Sequence, residues 1–102
     1  MIKKEFKKGD IAHIGRNIRV KFLVGNDIKV KTLKCDTEVT IVGYEKIADK
    51  YGKYGYFIEF KDGDVLMKST HTISQFDFYS KYQWETKIKQ EELIRKLLEK
   101  ED

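Results

Sequence analysis

The fold turns on the stretch Ile18-Arg19-Val20-Lys21-Phe22-Leu23-Val24-Gly25-Asn26-Asp27-Ile28-Lys29-Val30-Lys31-Thr32-Leu33-Lys34. Its first half alternates, with Ile18, Val20, Phe22 and Val24 on one side and Arg19, Lys21 and Leu23 on the other. A period of two is that of a half-buried strand. Gly25-Asn26-Asp27 is turn material, and Ile28 to Lys34 alternates again, so the stretch reads as a β-hairpin. With a three-residue loop, Val24 faces Ile28, Phe22 faces Val30 and Val20 faces Thr32 on the core side. The other side then carries Lys21 opposite Lys31, with Arg19 and Lys29 diagonally near. Like charges directly opposite on a sheet cost a few tenths of a kcal/mol, and a bound polyanion reverses that sign. The alternative is a solvated face, or lysines that guard an edge strand.

Outward from this hairpin, other short strands follow. Lys8-Gly9-Asp10 precedes a strand at Ile11–Ile14. Val39-Thr40-Ile41-Val42 ends near Gly43-Tyr44, and Tyr56-Phe57-Ile58-Glu59-Phe60 leads through Lys61-Asp62-Gly63-Asp64 into Val65-Leu66-Met67. The Asp-Gly step is a hairpin signal, because Gly accepts positive φ at no steric cost. Another strand is expected around 73–79. The even positions from Phe76 continue a strand period toward Ile88, but Lys89 to Glu101 is rich in helix formers. A helix therefore includes 89–99, starting between Lys81 and Lys89, with Ser80-x-x-Gln83 as a candidate capping box. Val20, Phe22, Val30, Ile41, Ile58 and Phe60 are the expected core.

At 102 residues the chain is one domain's worth, with a barrel over 8–79 and a helical segment over 81–100. Apolar residues make up 40% and charged residues 37%, the composition of a small core under a heavily charged surface. No apolar run approaches the ~20 residues of a membrane span, so no membrane is expected as a partner. Thirteen aromatics argue against disorder. Cys35 is the lone cysteine, which precludes an internal disulfide and suits a reducing, cytoplasmic setting; no signal peptide is read at the N-terminus. Eighteen lysines to three arginines, with many Ile and Tyr, suggest a low-GC bacterium or its phage.

The pattern of Lys8-Gly9-Asp10, Val39 to Tyr44 and Tyr56 to Gly63 resembles the SH3-like small-barrel class over roughly residues 8–79. The resemblance implies a mainly β fold: an antiparallel barrel of five or six strands followed by a C-terminal α-helix. That class holds nucleic-acid binders and peptide binders alike, so it does not choose a function. Lys46, Lys50 and Lys53 oppose the acidic loop of a proline-peptide binder.

Charge is unevenly spread. Residues 1–35 hold ten Lys/Arg against three Asp/Glu, a net of +7, and residues 36–102 hold eleven against fourteen, a net of −3. A one-sided positive surface favours an anionic partner. The expected nucleic-acid contacts are Arg19, Lys21, Lys29 and Lys31, joined by Lys50, Tyr51, Lys53 and Tyr54, where bases stack on rings while lysines follow the backbone. The simpler account of that loop is that its tyrosines cap the barrel. Trp84, Ile88, Leu93 and Leu97 belong to an apolar helical stripe fit for a partner or a homodimer, or for docking over the barrel's open end.

Enzymatic readings find little purchase. His13, His71 and Cys35 are far apart and lack zinc spacing. Asp62-Gly63-Asp64 lacks the distal acid of a calcium loop and reads as a turn. Glu38 and Glu59 form no acid–base pair. No cofactor or metal is expected. The expectation is a non-enzymatic binding module for nucleic acid or a nucleoprotein, the alternative a phage-encoded regulator or inhibitor of a host protein complex.

Overall fold

The structure is a computed structural model that describes residues 4–47 and 54–99. Seven strands form one antiparallel sheet: β1 (Ile11–His13), β2 (Ile18–Val24), β3 (Asp27–Leu33), β4 (Glu38–Lys46), β5 (Tyr54–Asp62), β6 (Val65–Ser69) and β7 (Ile73–Ser74). The spatial order is β1-β4-β5-β6-β2-β3, with β7 beside β5. A 3-10 turn (Gln75–Asp77) and a 19-residue helix, α1 (Lys81–Glu99), complete the chain.

The sheet does not close into a barrel. Among the described residues β3 ends the strand order and pairs with β2 alone, so the far edges do not meet. The curl reaches only an isolated bridge between Ile14 and Phe78, beside β1. The expected strand over 73–79 is correspondingly short. It stops at Ser74, whose hydroxyl accepts from Phe76 N as the chain enters the 3-10 turn, and Phe76 is exposed.

One curved face holds the core. Val20, Phe22, Ile41 and Ile58 are buried there as expected, and Phe60 is half-buried. Among the core residues that were not expected are Phe6, from the lysine-rich N-terminal segment, and Tyr56, which is in phase with Ile58 and Phe60 on β5. Phe6, Tyr56 and Phe78 meet edge-to-face with centroids 5.4 to 5.9 Å apart. Burying Tyr56 requires partners for its hydroxyl. It accepts from Glu5 N (2.9 Å) and donates to Gln75 Oε1 (2.7 Å), tying the N-terminal segment to the 3-10 turn.

The first hairpin differs from expectation by one residue. Val24 lies opposite Asp27, not Ile28, so the loop is Gly25-Asn26 alone. Gly25 takes φ +61°, as the first central position of a type II′ turn demands. The side-chain period is two, so a slip of one moves every β3 side chain to the other face. Lys31 therefore sits opposite Val20, Lys29 opposite Phe22, and Val30 opposite Lys21. Val30 is exposed instead of buried, and the expected Lys21–Lys31 juxtaposition does not occur.

The helix starts at Lys81. Ser80 N donates to Gln83 Oε1 (2.9 Å) and Gln83 N to Ser80 Oγ (3.1 Å), the reciprocal bonds of a capping box. Glu5 accepts from Lys81 N at 2.7 Å, another donor that the first helical turn leaves without an intrahelical partner. From Lys89 to Glu99 every residue is exposed.

Candidate interaction surface

The convex face of the sheet is built by pairing. One row crosses six strands: Ile11, Thr40, Glu59, Lys68, Leu23 and Ile28, each opposite the next. The neighbouring pair on β2 and β3 is Lys21 with Val30, followed by Arg19 with Thr32. Leu23, Ile28 and Val30 thus form a small apolar patch toward the turn end of the β2–β3 hairpin, exposed at 47%, 64% and 49%. Arg19, Lys21 and Lys68 border it, and exposed Leu66 shares the face with Lys68.

The four basic residues expected together are divided by the register. Arg19 and Lys21 are on this convex face; Lys29 and Lys31 are on the concave side. Lys31 forms an ion pair with Asp62 at the end of β5, its ammonium 6.0 Å from the Phe60 ring, which lies 6.0 Å from Phe22. Lys31 thereby covers the open end of the core. Lys29 stays exposed. Tyr54 is half-buried at the start of β5, tilted against Tyr44 with centroids 6.2 Å apart. It lies five residue steps from Glu59, about 17 Å along β5, so it does not join the patch. Lys50, Tyr51 and Lys53 lie outside the described residues.

The second surface is the junction of α1 with the sheet. Trp84 stacks on His13 with centroids 3.6 Å apart and planes 7° from parallel. Lys87 reaches back to Asp36, its Nζ 2.6 Å from both carboxylate oxygens, and lies 3.3 Å from Tyr79 Oη. Asp36 holds φ +76°, a left-handed conformation that Asp adopts more readily than most residues. The Lys87 ammonium keeps the Asp36 carboxyl below the usual carboxylate range, and Asp36 raises the Lys87 ammonium in return. The Cys35 thiol, 3.2 Å from Tyr79 Oη, raises the phenol. Burial lowers the His13 imidazole against the opposing pull of Glu38 and Asp36.

Trp84 is therefore a docking anchor within the chain, and half-buried Ile88 lies on the same side of the helix. At roughly 100° per residue, Leu93 and Leu97 lie about 180° and 220° around from Trp84. They join Ile94 and Leu98 in an exposed stripe of their own. The sequence merged these two faces into one.

The capping box and the alternation of β2 were legible in the sequence. The Leu23–Ile28–Val30 patch was missed, although Gly-Asn between two alternating runs is itself a two-residue turn signal. Among the described residues, no group of three His, Cys, Asp or Glu side chains is placed to hold a metal ion. Cys35 Sγ meets Gly15 O, Asp36 and Tyr79, while His71 meets Thr70. No helix among the described residues is long and apolar enough to cross a membrane. Comparison with known protein families, curated proteins and solved structures finds no match.

Proposed function

We propose that this chain is a non-enzymatic module that binds a protein partner through the convex face of the β2–β3 hairpin, regulating the complex to which that partner belongs. The observation that carries the reading is the contiguous patch of Leu23, Ile28 and Val30, at least 47% exposed and bordered by Arg19, Lys21 and Lys68. Single exposed apolar residues need no explanation, but a clustered set with a charged rim is the pattern of a protein contact surface. The cationic rim selects for an acidic partner and speeds encounter. The Leu93–Leu98 stripe of α1 offers a second contact, to the same partner or to another copy of the chain. The SH3-like likeness belongs to this proposal, supported by the Ile14–Phe78 bridge that folds the chain back on β1. A reducing, cytoplasmic setting belongs to it too, supported by exposed Cys35 being the lone cysteine.

Nucleic acid is the second reading, favoured by the +7 net charge of residues 1–35 and by Arg19, Lys21 and Lys68 sharing one face. Affinity capture from a low-GC bacterial lysate, with and without nuclease, separates the two. The protein reading expects one stoichiometric partner that survives nuclease and is lost with Ile28→Asp, a change on an exposed position. The nucleic-acid reading expects capture to vanish with nuclease. Anisotropy with labelled DNA and RNA then shows binding that falls steeply with salt, with Lys21→Gln lowering the salt slope by roughly one.

A further inference from the structure

Among the described residues no strand pairs with the outer edge of β3, which is a regular hydrogen-bonding template. Thr70 N donates to the Lys21 carbonyl at 2.9 Å, so that carbonyl points toward β6 and away from β3. Lys21 and Val30 are therefore a pair that exchanges no hydrogen bonds, and in an antiparallel ladder such pairs alternate with bonded ones. The backbone N–H and C=O of Ile28, Val30 and Thr32 consequently face the open edge, while those of Lys29 and Lys31 face β2. Side chains follow the same alternation. Ile28, Val30 and Thr32 project from the convex face, Lys29 and Lys31 from the concave one.

Natural sheets blunt their edges with short strands, proline, bulges or charge. β1, the other edge, is three residues long and bridged beside its end by Phe78. β3 runs seven residues in unbroken register with β2 and contains no proline. Its only guard is charge. In an antiparallel self-pairing centred on Val30, Lys29 of one copy would lie opposite Lys31 of the other, which is unfavourable; Asp27, at the turn end of the same face, is the strand's one acid. A strand bearing acidic side chains on that side meets attraction instead.

We infer that β3 accepts an added strand from its partner: an extended segment in which apolar and acidic residues alternate. This rests on the protein-binding reading of the same hairpin. The partner's apolar side chains extend the Ile28–Val30 patch on the convex face. Its carboxylates lie beside Lys29 on the concave face, and its backbone pairs with Ile28, Val30 and Thr32. Strand addition takes affinity from main-chain bonds and specificity from alternate side chains.

The test uses the full chain with a fluorescein-labelled heptapeptide alternating Val and Glu. Its controls are a Val/Lys peptide, the Val/Glu peptide N-methylated at alternate residues on its pairing edge, and a single-stranded oligonucleotide. Anisotropy is expected to show the Val/Glu peptide binding at least tenfold tighter than the Val/Lys peptide. Lys29→Glu reverses that preference, and N-methylation abolishes binding. Amide exchange by NMR slows at Ile28, Val30 and Thr32 but not at Lys29 and Lys31, which are already bonded to β2. Equal binding of the two charge types, no binding of the Val/Glu probe, or binding without protection of those three amides overturns strand addition. If nuclease-resistant capture that Ile28→Asp removes persists after such a result, the protein-binding reading stands and only the strand mode falls. Protection of the three amides in peptide-free protein, growing with concentration, assigns the edge to a second copy. Preference for the oligonucleotide assigns the hairpin to nucleic acid. Either of these also overturns the proposal.

Discussion

His13 carries the contact that joins helix to sheet, and its protonation state governs that contact. Its ring lies flat against Trp84, and burial lowers its pKa from the ordinary 6.5. A folded pKa below the unfolded one means that the unfolded state binds the proton more readily. Stability from neutral His13 is therefore fully present above about pH 6.5 and is lost as pH falls through the lowered folded value. Trp84 is the single tryptophan, so its fluorescence reports this junction alone. Acid titration should change Trp84 emission with a midpoint below 6.5, and His13→Gln should remove that transition. A midpoint above 6.5 would mean that Glu38, 3.7 Å from His13 Nε2, outweighs burial. None of this was legible in the sequence, because His13 and Trp84 are 71 positions apart and neither belongs to a motif. Ser80 and Gln83 were legible, because a capping box is a local pattern whose partners lie within one helical turn.

At the scale of elements, the β2–β3 hairpin shows what a period of two leaves open. Alternation of β2 identified its buried side, since Val20 and Phe22 alternate with Arg19 and Lys21. β3 alternates equally well in either phase, because Lys29 and Lys31 can reach past a core rim as Lys31 does toward Asp62. Loop length alone decides the phase, and the two-residue Gly25-Asn26 turn places Val30 outside. The contrast is measurable by chemical denaturation. Phe22→Ala should cost about 3–5 kcal/mol, as a fully buried aromatic. Val30→Ala, on a half-exposed strand surface, should cost less than about 1 kcal/mol. Comparable losses at both positions would restore the three-residue loop and bury Val30. In α1 the same limit applies to a period of 3.6. Trp84 and Ile88 satisfy it on one side, Leu93 to Leu98 on another, and the pattern alone does not say where the sheet ends beneath the helix.

The whole molecule is extended because α1 outruns its support. Its Cα radius of gyration is 16.0 Å, against about 13 Å for a compact chain of this length. The helix spans about 28 Å at 1.5 Å per residue, and its contacts with the body come from its first two turns, through Lys81, Trp84 and Lys87. Along the helix, Glu85 precedes Lys89, Glu91 precedes Arg95 and Glu92 precedes Lys96, each by four residues. That spacing and order add about 0.2–0.5 kcal/mol per pair to an exposed helix. Of the outcomes expected for the Leu93–Leu98 stripe, docking over the sheet does not occur, since every residue from 89 to 99 of this arm is exposed, and contact with a partner or a second copy is the outcome left to test. Small-angle scattering of the monomer should give a radius well above the compact value. Deleting residues 89–102 should bring it close to that value while leaving Trp84 emission and the melting temperature of the sheet unchanged. A drop in melting temperature on deletion would mean that the arm folds back in solution. A wild-type mass twice that of the monomer, restored to one copy by Leu93→Gln with Leu97→Gln, would identify the stripe as the seam between two chains.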